Sequence, residues 1–342
     1  MVELEPDPYI NLITGDNGTG KSSLLEALYF LGRARSFRSG TSNQMIAKDC
    51  SELSVFARIQ TETGQTTAGI LRSTGQTRLQ VAGNRQARLL DLVKALPIQL
   101  VDPGIHRLSE EGPSQRRRFL DWGVFHVEPQ FYPAWLRYRR ALQQRNKALK
   151  SSNPREIAPS WDRELVTAGL RLDQYRRRHV EALGELLSQE TENSLQLHNI
   201  TLRYHQGWNK DLSLEAAIRY NLESDVECGF TRVGPHRADL RLGMGSTLLK
   251  HRASRGEQKA VTLLLSLAQA SHISAITGIK PVLLIDDLAA ELGSRLREQI
   301  GQAIADRHVQ CFVTLLEPSL APSSLSRGSM FHVEQGGILP MV

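Results

Sequence analysis

The stretch Gly15-Asp16-Asn17-Gly18-Thr19-Gly20-Lys21-Ser22 fits G-x-x-x-x-G-K-[ST], the pattern of a phosphate-binding loop. The residue types have physical reasons. Gly15, Gly18 and Gly20 allow positive φ, which lets the backbone turn its N–H groups inward on a phosphate. Asp16, Asn17 and Thr19 complete the cradle between them. Lys21 is a point charge for β- and γ-phosphates. The Ser22 hydroxyl, followed by Ser23, is placed for Mg²⁺.

Two elements must position that loop. Residues 9–14 read as a strand running into it, and residues 23–31 as a helix leaving it, so a phosphate would also meet a helix N-terminus. Arg33, Arg35 and Arg38 follow the helix end. They suit either a solvated basic loop that complements the helix dipole or a phosphate contact. Residues 51–86 alternate short apolar runs with turn signals, which predicts an antiparallel meander. A meander so early in a P-loop fold points away from nucleotide kinases and towards ABC-type heads.

Downstream, Val282-Leu283-Leu284-Ile285-Asp286-Asp287 reads as a buried parallel strand ending in two carboxylates, a Walker B strand. Asp286 is expected to serve Mg²⁺ through water, and Asp287 to orient or deprotonate an attacking water. Ser254-Arg255-Gly256-Glu257-Gln258 precedes a helix. Ser254 with Glu257 makes a capping box. The same residues resemble the ABC signature, in which Ser254 and Gly256 would receive a γ-phosphate at the helix N-terminus. Its place just before the Walker B strand favours the signature.

Between these motifs, residues 112–195 are almost entirely helical in pattern. Helices over 134–150 and 160–197 flank the break at 151–154 and read as an antiparallel hairpin. It is rich in arginine, including Arg137, Arg140, Arg176, Arg177 and Arg178. Such a run is either solvated helix faces with i,i+4 pairs or a surface for the DNA backbone. Residues 199–205 and 212–222 return to strand-like and mixed patterns. Residues 230–240 are expected to begin and end as strand, with His236 and Arg237 at a turn. The last 25 residues read as loop and edge strand.

Composition bounds the class. The 342 residues suffice for two domains or one with a large insertion, and 42 Lys and Arg against 36 Asp and Glu leave a mild excess of +6. There is no run of about 18 apolar residues and no spanning helix is expected. Cys50, Cys228 and Cys311 are few and widely spaced. That usage fits a reducing compartment and no metal site, and the expected location is cytoplasmic.

Together these stretches resemble the RecF family of bacterial recombination proteins, relatives of SMC and ABC ATPases. Two of the matching stretches are specific to that family: residues 115–122, which contain Arg118-Phe119-Leu120-Asp121, and residues 233–240, which contain Gly234-Pro235-His236-Arg237-Ala238-Asp239. The P-loop, signature and Walker B strand are shared with all its relatives. The resemblance implies an α/β fold: an ABC-type P-loop ATPase head, with an antiparallel meander and a parallel core in a mixed sheet, and an inserted helical arm lobe. Residues 1–104 would form the N-terminal part of the head, 105–225 the arm lobe, and 226–342 the rest of the head. It further implies ATP with Mg²⁺ held by residues 15–23 and Asp286, weak DNA-stimulated hydrolysis coupled to dimer release, and an ATP-dependent homodimer. The implied partners are duplex DNA, single-strand/duplex junctions, and mediator proteins of the RecO and RecR type. The competing class is an ABC-type ATPase subunit of another system, a transporter or an SMC-like chromosome protein. The long Arg-rich helical insertion argues against a transporter.

Three features depart from the family pattern. Only ten residues precede Asn11, where an earlier strand is normal, so an unpaired sheet edge is expected. Gly293 follows Ala290-Glu291-Leu292, where the D-loop usually ends in Asp. Glu257 stands where Gln is common.

Overall fold

The computed structural model describes residues 2–38, 45–47, 49–61, 64–102, 108 and 112–341. The chain divides into two units. The first comprises Met1–His106, Asn193–Gln196 and Ser254–Val342, and the second Arg107–Glu192 and Leu197–Ala253.

In the first unit, β1 (Ile10–Thr14) runs into the P-loop with all of its residues buried. It lies between β10 (Cys311–Thr314) and β11 (Ser329–Glu334) and is parallel to both. A strand covered on both faces needs no polar alternation, which is why residues 10–14 read as a continuous run. β9 (Val282–Ile285) pairs in parallel with β10 and with β5 (Ile98–Val101). β12 (Gly337–Met341) adds antiparallel to β11 and completes the order β12-β11-β1-β10-β9-β5. The C-terminal segment, read as loop and edge strand, thus also supplies an interior strand.

The meander forms as expected: β2 (Glu52–Thr61), β3 (Gly64–Ser73) and β4 (Gln76–Val81) make a separate antiparallel sheet. Its Ala68 and Ile70 join a core with Leu25, Phe30 and Leu31 of α1 (Lys21–Arg33). Ile13, Ile98, Leu284 and Phe312 of the main sheet complete that core. A short helix, α2 (Leu89–Ala95), precedes β5.

The second unit holds α3 (Pro113–Val127) and the helices α4 (Phe131–Ala148) and α5 (Asp162–Glu190), which pack against one another as the expected hairpin. Residues 212–222 are largely helical, in α6 (Leu214–Tyr220) and the start of α7 (Leu222–Cys228). β6 (Ile200–His205), β7 (Asp239–Met244) and β8 (Thr247–Leu248) form a small antiparallel sheet.

Two expectations need correction. Residues 226–253 belong to the second unit, not the head, because β7 pairs with β6 from Asp239 to Met244. The other boundary, at 104, lies outside the described residues. Residues 230–233 are not a strand. The Thr231 N–H donates to Asn146 Oδ1 at 2.8 Å and the Arg232 N–H to Asp225 Oδ1 at 2.9 Å, so side chains take the bonds a neighbouring strand would supply. By length and composition, α8 (Arg255–Thr277) is apolar enough to cross a membrane. It is an interior helix, with 67% of its most apolar window buried, and such helices are apolar on most sides.

Residues 115–122 and 233–240, which carry the family resemblance, meet inside the second unit. Arg116 pairs with Asp239 at 2.7 Å, and Arg117 donates to Ala238 O at 2.7 Å. Arg176 of α5 grips both oxygens of Asp121 at 2.7 and 2.9 Å and donates to Pro235 O at 2.7 Å. His236 accepts at Nδ1 from the Tyr138 hydroxyl at 2.7 Å and donates from Nε2 to Thr231 O at 2.9 Å. Burial, reinforced by the Arg237, Arg117 and Arg176 cations, pushes the imidazole down to about 4 against the opposing bond to Thr231.

That depression couples stability to pH. An unfolded imidazole titrates near about 6.5, so below that pH the unfolded chain binds a proton that the folded chain refuses. The stabilisation is whole above about 6.5 and is lost as pH falls towards about 4, amounting to roughly 2 kcal/mol by about pH 5. The melting temperature of the parent is therefore expected to fall more between pH 7.5 and 5 than that of His236→Gln. Parallel declines in the two proteins would contradict the assignment.

Candidate nucleotide-binding site

The P-loop owes its shape to a close approach of β11. A Cβ on Gly15 would lie 2.4 Å from the Val333 carbonyl oxygen, and the residue has φ of +144°. Gly20, at φ 117°, is the N-cap of α1 and lets the chain enter the helix directly from the loop. Lys21 Nζ reaches back across the loop to Gly15 O at 2.5 Å and Asp16 O at 2.8 Å. The Thr19 hydroxyl donates to Asp16 O at 2.9 Å, closing the turn.

Beside the loop stands the end of β9. Asp286, 9% exposed, accepts at Oδ1 from the Ser22 hydroxyl at 3.0 Å and from the Thr314 hydroxyl at 2.8 Å. Its N–H donates to Val101 O of β5 at 2.8 Å. Asp287 is exposed, with φ 51°, and its N–H donates to Thr314 Oγ1 at 2.7 Å. Thr314 thus orients both carboxylate-bearing residues. Sequence reading passed over it, because it ends an apolar run and matches no motif.

A cleft of ≈530 Å³ opens here. Asn17, Gly18, Gly20, Lys21, Ser22 and Ser23 line it from the loop, and Asp286, Asp287 and Thr314 from the strand ends. Arg38 and Arg297 also line it, the latter from α9 (Ser294–Ala305). The basic run after α1 therefore divides. Arg33 donates twice to Ile98 O, at 3.2 and 3.0 Å, and burial lowers its pKa to about 10. Arg35 donates to the Tyr29 hydroxyl at 3.1 Å. Arg38 faces the cleft.

The cluster around Asp286 suits a hard cation. Its atoms are hydroxyl and carboxylate oxygens, the donor set of Mg²⁺. Among the described residues no group of three or more His, Cys, Asp or Glu could hold a metal by itself. A cation at Asp286 would draw its remaining oxygens from water and phosphate, as Mg²⁺ commonly does.

Ser254 and Gly256 do not line this cleft. Ser254 caps α8 as a full capping box: its N–H and hydroxyl both donate to Glu257 Oε2 at 2.8 Å, and the Glu257 N–H donates back to Ser254 Oγ at 3.3 Å. An incoming anion would have to displace the Glu257 carboxylate. Gly293 is the N-cap of α9 without a side-chain bond, so an Asp there would add the cap that glycine omits.

The expected DNA-contacting arginines separate as well. Arg176 is 3% exposed and is consumed by Asp121 and Pro235, so it is no phosphate contact. Its place four residues after Leu172 and three before His179 sets it on the inward stripe of α5, a signal available in the sequence. Arg137 is exposed and pairs with Glu164 at 2.8 Å. Arg177 is exposed, pairs with Asp173 at 2.7 Å and lies over the Tyr204 ring. Arg140 and Arg178 are exposed, with no ion pair among the described residues.

Comparison with known proteins bears on this geometry. The family described as RecF/RecN/SMC N terminal domain matches residues 1–337. The chain is 37% identical to the DNA replication and repair protein RecF of Shewanella piezotolerans, over 98% of this chain and 94% of that protein. It is 38% identical to the RecF of Thioalkalivibrio sulfidiphilus, with the same coverage. Among solved structures, the recombination mediator protein RecF-ATP in the RecFOR pathway superposes with TM-score 0.82 at 24% identity, covering 99% of this chain and 93% of that one. An SMC head bound to the C-winged helix domain of ScpA gives 0.58 at 15% identity, over 99% and 92% of the two chains.

Replacing Lys21 with Ala removes the ammonium of the loop. Charge-assisted bonds of this kind contribute about 1.5–3 kcal/mol each, so ATP is expected to bind roughly 10- to 100-fold more weakly in a titration of the full chain. Unaltered affinity would remove the loop from the nucleotide site.

Proposed function

Because the chain belongs to the RecF family of DNA replication and repair proteins, we propose that it is an ATP-dependent DNA-binding protein of recombinational repair and fork maintenance. The observation that carries this reading is the meeting of Ser22 and Thr314 on Asp286 beside the Lys21 loop. In this reading residues 15–23 hold the phosphates of ATP. Ser22 and Asp286 would hold Mg²⁺, which would supply charge neutralisation at the phosphates. Arg38 adds a cation at the cleft. Asp287, exposed in the cleft, orients the attacking water, and hydrolysis is slow and coupled to release of a dimer.

A second copy of the chain completes the site. The signature residues Ser254 and Gly256 lie away from the cleft of their own chain. A helix N-terminus of this kind favours an anion, and a partner's γ-phosphate supplies one. ADP lacks that group and would not close the dimer. DNA is bound as duplex and as single-strand/duplex junctions through exposed arginines of the hairpin: Arg137, Arg140, Arg177 and Arg178. Arg163 and Arg171, which with Arg137 act on Glu164 and lower its pKa, extend the same basic surface. The RecFOR pathway named for the similar ATP-bound structure supports partners of the RecO and RecR type and a role in loading recombinase at gaps.

The DNA assignment is tested by salt. The slope of log K against log[salt] is about −0.9 per phosphate neutralised, so the double variant Arg140→Gln/Arg178→Gln should have a slope shallower by about 1.8 on a duplex with a single-strand overhang. A slope equal to the parent's would make these arginines solvated charge only.

A further inference from the structure

Lys259 is 0% exposed, among the largest fully buried side chains of the protein. It lies on α8, past the capping residue Ser254. Its ammonium donates to two backbone oxygens, Asp287 O at 3.0 Å and Ala290 O at 2.5 Å. Both belong to the segment that leaves the Walker B strand. Asp287 has φ 51° and Glu291 φ 62°, left-handed conformations uncommon for residues with a side chain. The helix also touches this segment at Gly256, where a Cβ would lie 2.9 Å from Glu291 O.

Taking an ammonium out of water is costly, and a buried apolar side chain would fill the same space without that cost. Here burial lowers the pKa of Lys259, while the carboxylates of Asp287, Glu291, Asp102 and Asp286 oppose that shift. The charge lies where carbonyl oxygens of a left-handed turn point inward. We propose that Lys259 is a positioning residue for hydrolysis: by pinning the Asp287 and Ala290 carbonyls it fixes the backbone turn that carries the Asp287 carboxylate into the nucleotide cleft. The proposal rests on the role given above to Asp287. The Asp287 N–H, held by Thr314 at 2.7 Å, fixes one side of that residue, and Lys259 fixes its carbonyl on the other.

A residue that acts through another is revealed by a double-mutant cycle. The full chain is assayed for ATP hydrolysis as parent, Lys259→Met, Asp287→Asn and the double variant, with ATP affinity measured on each. Lys259→Met is expected to lower kcat about tenfold or more with ATP affinity within about twofold of the parent. In the Asp287→Asn background the same change is expected to cost less than about twofold, because the carboxylate it positions is gone. Equal losses in both backgrounds would overturn the proposal, as would weakened ATP binding with kcat unchanged. A kcat lost in Asp287→Asn yet intact in Lys259→Met would overturn the Lys259 proposal alone. A kcat intact in Asp287→Asn would overturn the role of Asp287 itself, and the proposal with it. Should circular dichroism show Lys259→Met unfolded, Lys259→Arg, which keeps the cation in a different geometry, enters the same cycle and the same outcomes decide.

Discussion

A single carboxylate oxygen, Asp286 Oδ1, draws together the parts of the first unit that matter for chemistry. Ser22 at the start of α1 and Thr314 at the end of β10 both donate to it, and the Asp286 N–H ties β9 to β5. Side chains and backbone from widely separated stretches of sequence therefore converge at the carboxyl ends of parallel strands, where ligands bind in such sheets. The all-buried strands that meet there give the convergence its rigidity. The P-loop also abuts β11, whose backbone lies too close to Gly15 to admit a side chain.

The second unit is held by a different device. Three of its arginines are spent inward. Arg145, 0% exposed, bridges Asp162 at 2.7 Å and Asp225 at 2.6 Å and donates to Thr231 Oγ1 at 2.8 Å. Arg116 and Arg176 do the same for the stretch around His236. Buried guanidinium groups need such multiple partners, because removing one leaves an uncompensated charge. The resemblance-bearing residues of this unit are thus mutual supports, while other arginines of the unit, Arg140 and Arg178 among them, stay exposed.

How much of this was legible in the sequence follows from chain distance. The P-loop was readable because its chemistry is contained in consecutive residues, and the Walker B strand because burial on both faces imprints an apolar run. Meander and hairpin were readable from their periods. Thr314 and Lys259 were not, since each acts on a partner 27 or 28 residues away across the fold and neither belongs to a consecutive pattern. Arg176 was misread because charge was weighed over the helical period that points it inward. The boundary at 225 failed because strand pairing between β6 and β7 spans two intervening helices.

Ser254 and its capping partner Glu257 are the residues on which the two-headed account turns. The Ser254 hydroxyl is held by Glu257 within its own chain, and in the proposed reading a phosphate from another copy would compete for it. The direct measurement is ATPase activity in a mixture of Ser254→Arg and Lys21→Ala chains. In mixed dimers one composite site combines the intact P-loop of the Ser254→Arg chain with the intact signature of the Lys21→Ala chain. The account predicts activity above the sum of the two variants assayed alone. Activity no greater than that sum, with mixed dimers shown to form, would contradict it.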